Sequence, residues 1–187
     1  IIIDGKKVLA PWQDKKAAGQ LMIFILFGMI AMQYIYYQAV AVANAPTATI
    51  LQFLSPVVVV IYVAVKTREL PRRMDVLVIA LAMFGTLLVV TKGQLTQLAI
   101  TPEALMWGLL SALAAAAYAI LPAALLETYS PLTVTAWAQL LGGVLLSIKT
   151  PWWTEIPHLT PFEWGTYAFV VIAGTIVAYL LYLRALQ

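Results

Sequence analysis

The chain contains no cysteine, which excludes disulfides, thiolate metal sites and thiol nucleophiles together. It has one histidine, His158, too few to build a histidine metal centre. Charge is scarce as well: 10% of the 187 residues are Asp, Glu, Lys or Arg, against about 25% in an ordinary soluble domain. The eight carboxylates, Asp4, Asp14, Glu69, Asp75, Glu103, Glu127, Glu155 and Glu163, all fall in loops or at the edges of apolar runs. A charge at the centre of a membrane span costs roughly 2.5–3.5 kcal/mol and usually marks a proton or ion path. No such path is written here, so proton coupling would need residues elsewhere. Catalytic templates are missing too: there is no H-E-x-x-H, no G-x-S-x-G and no pair of intramembrane aspartates. Gly85 and Gly93 belong to no phosphate-cradling loop. No enzyme, no cofactor and no metal are expected. The opening "IIIDGKKVLAPWQDKK" lacks the apolar core of a cleavable signal peptide.

What is abundant is hydrophobicity, at 63% of residues against about 45–50% in soluble domains. The apolar runs are long and continuous, unlike the alternating segments of about ten residues in a membrane barrel. The fold class expected is all-α, a polytopic helical membrane protein. Six spans can be drawn: Gly19–Ala43, Ala48–Val65, Val76–Val90, Ala104–Leu126, Leu132–Ile148 and Trp164–Leu183. Pro46, Pro71, Pro102, Pro131 and Pro161 stand at or near span starts, where a missing N–H costs nothing. Excess Lys and Arg orients the spans. With the first segment cytoplasmic, Lys6, Lys7, Lys15, Lys16, Lys66, Arg68, Arg72, Arg73 and Arg184 lie inside, nine of the eleven basic residues. Trp152, Trp153 and Trp164 then form a belt at the outer interface. The partner this implies is the lipid bilayer, not nucleic acid, despite a net charge of +3.

One pattern occurs twice. "GMIAMQYIYYQAVA", from Gly28, and "GTIVAYLLYLRALQ", from Gly174, align without gaps and share Gly28/Gly174, Ile30/Ile176, Tyr36/Tyr182 and Ala39/Ala185. The first copy runs outward on span one and the second inward on span six. That predicts an inverted repeat, a frequent architecture of secondary transporters. The first copy is followed by two further spans and the second by none, so a longer chain with about two more spans on either side is expected.

The segment from Tyr36 to Gly93 resembles the closing helices of an EamA-type repeat of the drug/metabolite transporter superfamily. The likeness is carried by the Tyr–small–small helix at Tyr37–Ala43, by "ATILQFLSPV" with Pro56, by Glu69 in the basic loop and by Gly85. "WGLLSALAAAAYAILP", Trp107 to Pro122, resembles the opening helix of a second repeat, and "GTIVAYLLYLRALQ" that repeat's third helix. The resemblance implies ten helices in two inverted five-helix repeats, with both termini cytoplasmic and this chain holding helices three to eight. Residues 1–92 would then be the C-terminal part of the first repeat, and 93–187 the N-terminal part of the second.

Candidate site residues are the uncharged polar and aromatic groups within spans. Gln33, Tyr37 and Asn44 are expected on one face of span one, flanked by Tyr34 and Gln38. Gln52, Ser55 and Pro56 cluster on span two, where Pro56 bends the helix and frees a carbonyl that should face protein or a wet cavity. Trp107, Ser111, Tyr118 and Pro122 recur on span four, and Thr175, Tyr179 and Tyr182 on span six. Gln33, Tyr37, Gln52, Pro56, Trp107, Ser111, Tyr118 and Tyr179 are taken as the lining of a substrate cavity suited to small amphipathic metabolites such as amino acids. The function expected is secondary transport of such a small-molecule substrate by alternating access. The alternatives are a non-transporting scaffold or subunit, since span Gln and Ser also bond neighbouring helices, and an intramembrane enzyme, for which no constellation is visible. A homodimer is left open. Tyr62 and Tyr129 read as interface anchors, "SALAAAAYA" as a close-packing stripe, and His158 as a solvated loop residue.

Overall fold

The structure, a computed structural model, describes residues 8–91, 100–149 and 159–177. Every regular element among the described residues is helical. A short α1 (Ala10–Gln13) leads into α2 (Lys15–Ile23), a π-helical segment (Phe24–Ile30) and α3 (Ala31–Val42). Then come α4 (Ala45–Gln52), α5 (Ser55–Thr67), α6 (Arg73–Thr91), α7 (Pro102–Ile120), α8 (Ala123–Leu126), α9 (Pro131–Lys149) and α10 (Pro161–Phe169), which runs on into a second π-helical segment, Val170–Val177. Among the described residues, five helical stretches are long and apolar enough to cross a membrane: Lys15–Val42, Ala45–Thr67, Arg73–Thr91, Pro102–Leu126 and Pro131–Ile148. They correspond to the first five spans expected from sequence, and the third is a full 19 residues rather than the shorter Val76–Val90. For the sixth, α10 and the second π-helical segment cover the start, while Tyr179, Tyr182 and the residues after Val177 lie outside the described residues, as do His158, Trp152 and Trp153. Two compact units divide the chain, Ile1–Ile148 and Lys149–Gln187.

The helix starts follow from side chains that satisfy the first N–H groups where water ends. Asp14 accepts from the Lys16 amide at 2.9 Å, and Thr101 from the Ala104 amide at 3.2 Å, with Pro102 in the first turn. Thr160 and Glu163 form a reciprocal capping box on α10, with Pro161 inside it. The Thr160 backbone amide donates to Glu163 Oε2 at 2.7 Å, and its hydroxyl at 2.8 Å. These bonds hold the exposed Glu163 carboxyl below the usual carboxylate range. Asn44 requires a correction. It does not continue a face with Gln33 and Tyr37, because α3 ends at Val42 and Asn44 is the N-cap of α4, accepting from the Thr47 amide at 2.9 Å. Pro46 in the first turn of α4 forces the chain to start a new helix there.

In lipid, hydroxyls must find partners within the protein. Thr67, Thr86, Thr91, Ser111, Ser147 and Thr166 each donate to a carbonyl three or four residues back on their own helix. Thr49 does the same to Ala45 at 2.8 Å, which leaves its oxygen free to accept from Tyr36 at 2.9 Å and ties α3 to α4. Tyr36→Phe is expected to lower stability by about 1 kcal/mol. In a double-mutant cycle on thermal melting in detergent, it should cost nothing further once Thr49 is Val, and full additivity would deny the link.

The core of the first unit joins Ala17, Leu21, Phe24, Ile25 and Met29 of the first span to Leu125, Val134 and Ala138. Around it, α7 packs against α3, the first π-helical segment, α4 and α5. The reason lies in its sequence: Ala104, Gly108, Ala112 and Ala116 recur every fourth residue and are all buried. Small side chains at that spacing let helix backbones approach closely, the main source of helix association where lipid is as apolar as leucine. This agrees with the packing role expected of "SALAAAAYA". By contrast, α6 exposes Leu77, Leu81 and Phe84, a surface fit for lipid tails.

Candidate functional site

The helices that carry the sequence-derived candidates do gather. Gln33 and Tyr37 lie on α3, Gln52 ends α4, Pro56 is in the first turn of α5, and Trp107, Ser111 and Tyr118 lie on α7, which packs on all three. The side chains have different fates. Ser111 is fully buried, and its hydroxyl is spent on the Gly108 carbonyl at 2.7 Å. Tyr118 is half-buried, its ring tilted against Phe24 at a centroid distance of 5.4 Å. Gln33 and Trp107 are half-buried. Tyr37 is 66% exposed and Pro56 is exposed, so both stand on the surface of this unit. Of the flanking pair, Gln38 donates its amide to the Tyr34 hydroxyl at 3.0 Å. Tyr179 lies outside the described residues.

Gln52 is different. It stands at a break in the second span, where α4 stops and Phe53 and Leu54 turn the chain before α5 begins. The Leu54 amide donates only three residues back, to Leu51 at 3.1 Å, and the Val57 amide likewise to Leu54 at 3.0 Å. Pro56 has no N–H to give the carbonyl four residues before it, which is that of Gln52. The bend expected of Pro56 is thus a tightened turn set just before it, between α4 and α5. The Gln52 side-chain Nε2 is buried and has no hydrogen-bond partner among the protein atoms. A buried, unpaired amide costs about 1–3 kcal/mol. Two residues further on, Leu54 opens one wall of an apolar crevice of about 310 Å³, closed by Val57, Val58, Met83, Leu109 and Leu113. Leu109 and Leu113 carry no signal in sequence, being ordinary leucines of an apolar helix.

The profile of the EamA-like transporter family matches residues 1–91 and 103–187. The chain belongs to the EamA-like transporter family. It is a multi-pass protein of the cell membrane. Among curated proteins it is similar to an uncharacterized inner membrane transporter of Salmonella typhimurium, YicL, at 35% identity over 186 residues. That alignment takes in 98% of this chain and 61% of the relative, so the chain spans about three-fifths of the relative's length. No solved structure matches the chain. The two matched stretches part between the end of α6 and the start of α7.

Proposed function

We propose that the chain supplies the middle of a secondary transporter for small amphipathic metabolites such as amino acids, working by alternating access between two inverted repeats, residues 1–92 and 93–187. The observation that carries this reading is the partnerless Gln52 amide at the interruption of a membrane-spanning helix. Broken helices in transporters expose backbone and side-chain polar groups to a solute at mid-membrane, and irregular backbone at that depth is tolerated only where protein or a wet cavity meets it. Gln33, Tyr37, Trp107 and Tyr179 would line the path with Gln52 and Pro56. Ser111 and Tyr118, engaged within the protein, would shape its wall.

The two-repeat reading has a second support. The first π-helical segment is Phe24–Ile30 and the second Val170–Val177. In the gapless alignment of Gly28 with Gly174, Phe24 falls on Val170 and Ile30 on Ile176. The same departure from α-helical winding thus recurs at matched places in both copies. Such segments are rare and are found often at functional sites. A ten-helix arrangement follows if each repeat has five.

The test is an uptake and efflux panel on vesicles carrying the protein expressed from its complete open reading frame. Zwitterionic amino acids should move faster than in empty vesicles, and faster than sugars or organic cations. A well-inserted protein that moves nothing across the panel would leave the scaffold reading in possession.

A further inference from the structure

Before the first span the chain makes an elbow. α1 carries Pro11 in its first turn and ends at Gln13, because Asp14 takes an extended backbone at φ −101° and ψ 116°. Asp14 caps α2 instead, its carboxylate accepting from the Lys16 amide at 2.9 Å. Residues 8–13 are therefore a strap set off from the span rather than a lengthening of it. The strap has two sides: Pro11 is fully buried, while Leu9 is 57% exposed.

Its inner side is fastened to α9. The Trp137 indole N–H donates to the Val8 carbonyl at 2.7 Å, joining groups 129 positions apart. The Trp12 ring stands edge-on to the Trp137 ring, at a centroid distance of 5.4 Å and an interplanar angle of 79°, an arrangement that the ring quadrupoles favour. Both rings pack on the core that holds Leu21, Leu125, Val134 and Ala138. Lys15 and Lys16 follow directly, so the fastening lies at the end of the bundle that the basic residues assign to the cytoplasm. In the two-repeat reading the strap belongs to the first repeat and α9 to the second. The contact then joins two bodies that must rock against each other.

The fastening also opposes itself. The Trp12 Nε1 is buried and has no protein partner, whereas a buried indole N–H usually finds one. Closing the strap strips water from this donor and gives nothing back. Releasing it would lose the Val8 bond and the ring pair but rehydrate Trp12. The two indole N–H groups thus pull in opposite directions, as suits a contact that opens and closes and not a permanent staple.

We propose that residues 8–13 form a reversible cytoplasmic clasp between the repeats, shut in this structure and released when that side opens. The proposal rests on the two-repeat reading. Its test reads the clasp without any solute, so a protein that moves no solute and a strap that never opens are separate results.

The measurement is fluorine NMR of the protein expressed from its complete open reading frame, labelled with fluorotryptophan and held in lipid nanodiscs. The Trp12 and Trp137 signals are assigned by their loss in Trp12→Phe and Trp137→Phe. Each should show a major environment that is the same in light and heavy water, and a minor one that shifts between them. Replacing a single tryptophan by benzothienylalanine then exchanges its N–H for sulfur and keeps the size of the ring. At Trp137 this should raise the minor share seen at Trp12 about fivefold, the worth of one neutral hydrogen bond. At Trp12 it should lower the minor share seen at Trp137 by at least about fivefold, because the unmet donor is gone. A merely structural pair would not give opposite signs. One dry environment at both rings in every one of these proteins overturns the proposal. So does a change of the same sign at both positions, or no change at either one.

Discussion

Gly108→Ala should lower the melting midpoint of the detergent-solubilised protein by the equivalent of about 1–3 kcal/mol, the usual cost of overfilling a packed contact. The added Cβ would stand 2.8 Å from Leu51 Cβ and 3.0 Å from its Cγ, and would overlap Cδ1. A side-chain tip can swing aside, but Leu51 Cβ is fixed to the α4 backbone, so α4 and α7 must separate. Leu51 is itself 1% exposed, and its neighbours leave it no second place. The same contact predicts a rescue. Leu51→Ala alone should cost about 2–5 kcal/mol through the cavity it leaves, yet combined with Gly108→Ala the total should fall short of the sum, because the new methyl occupies vacated space. Strict additivity of the two losses in thermal melts would show that the helices do not meet there.

Gln52→Leu should separate stability from transport. The Gln52 Nε2 has no protein partner, so removing it relieves a desolvated donor, and thermal stability should hold or rise. Transport should fall by about tenfold or more, the worth of a hydrogen bond to a charged solute group. Both readouts come from one preparation: melting in detergent, and initial rates of solute movement in vesicles at matched protein content. A purely structural glutamine would give the reverse, with stability lost and the per-molecule rate kept. Unchanged rates with unchanged stability would falsify the solute-contacting role.

The spans were legible because lipid demands long apolar runs, and the prolines and caps at their ends are local chemistry. Pro102 and Pro161 do stand in first turns, beside Thr101 and Thr160. Asn44 was misplaced because a four- and seven-residue step looks the same whether or not the helix continues, and only the Asn44–Thr47 bond reveals a cap. Gln52 and Pro56 were visible in sequence as an amide and a proline inside an apolar run, and the structure adds that the Gln52 Nε2 is buried without a protein partner. Ser111 was equally visible but turned inward, because a serine hydroxyl can always reach its own helix's carbonyl. Gly108 gave no sign of its importance: its role comes from Leu51, which lies 57 positions earlier in the chain and is set against it only by tertiary packing. The π-helical winding left no trace in residue types either, and surfaced in sequence only as two segments that align.

The first of those segments also sets an angle. Ala31 donates its amide five residues back, to Leu26, so the ladder there holds one residue more than an α-helical path would. Each residue of an α-helix advances the azimuth by about 100°. Everything beyond Ile30, including Gln33 and Tyr37, is therefore turned about the helix axis relative to the buried stripe of Leu21 and Ile25. Were the surplus residue to migrate along the ladder, the side chains it passed would sweep round to a new neighbour while the far end of the span kept its anchorage in the Tyr36–Thr49 bond.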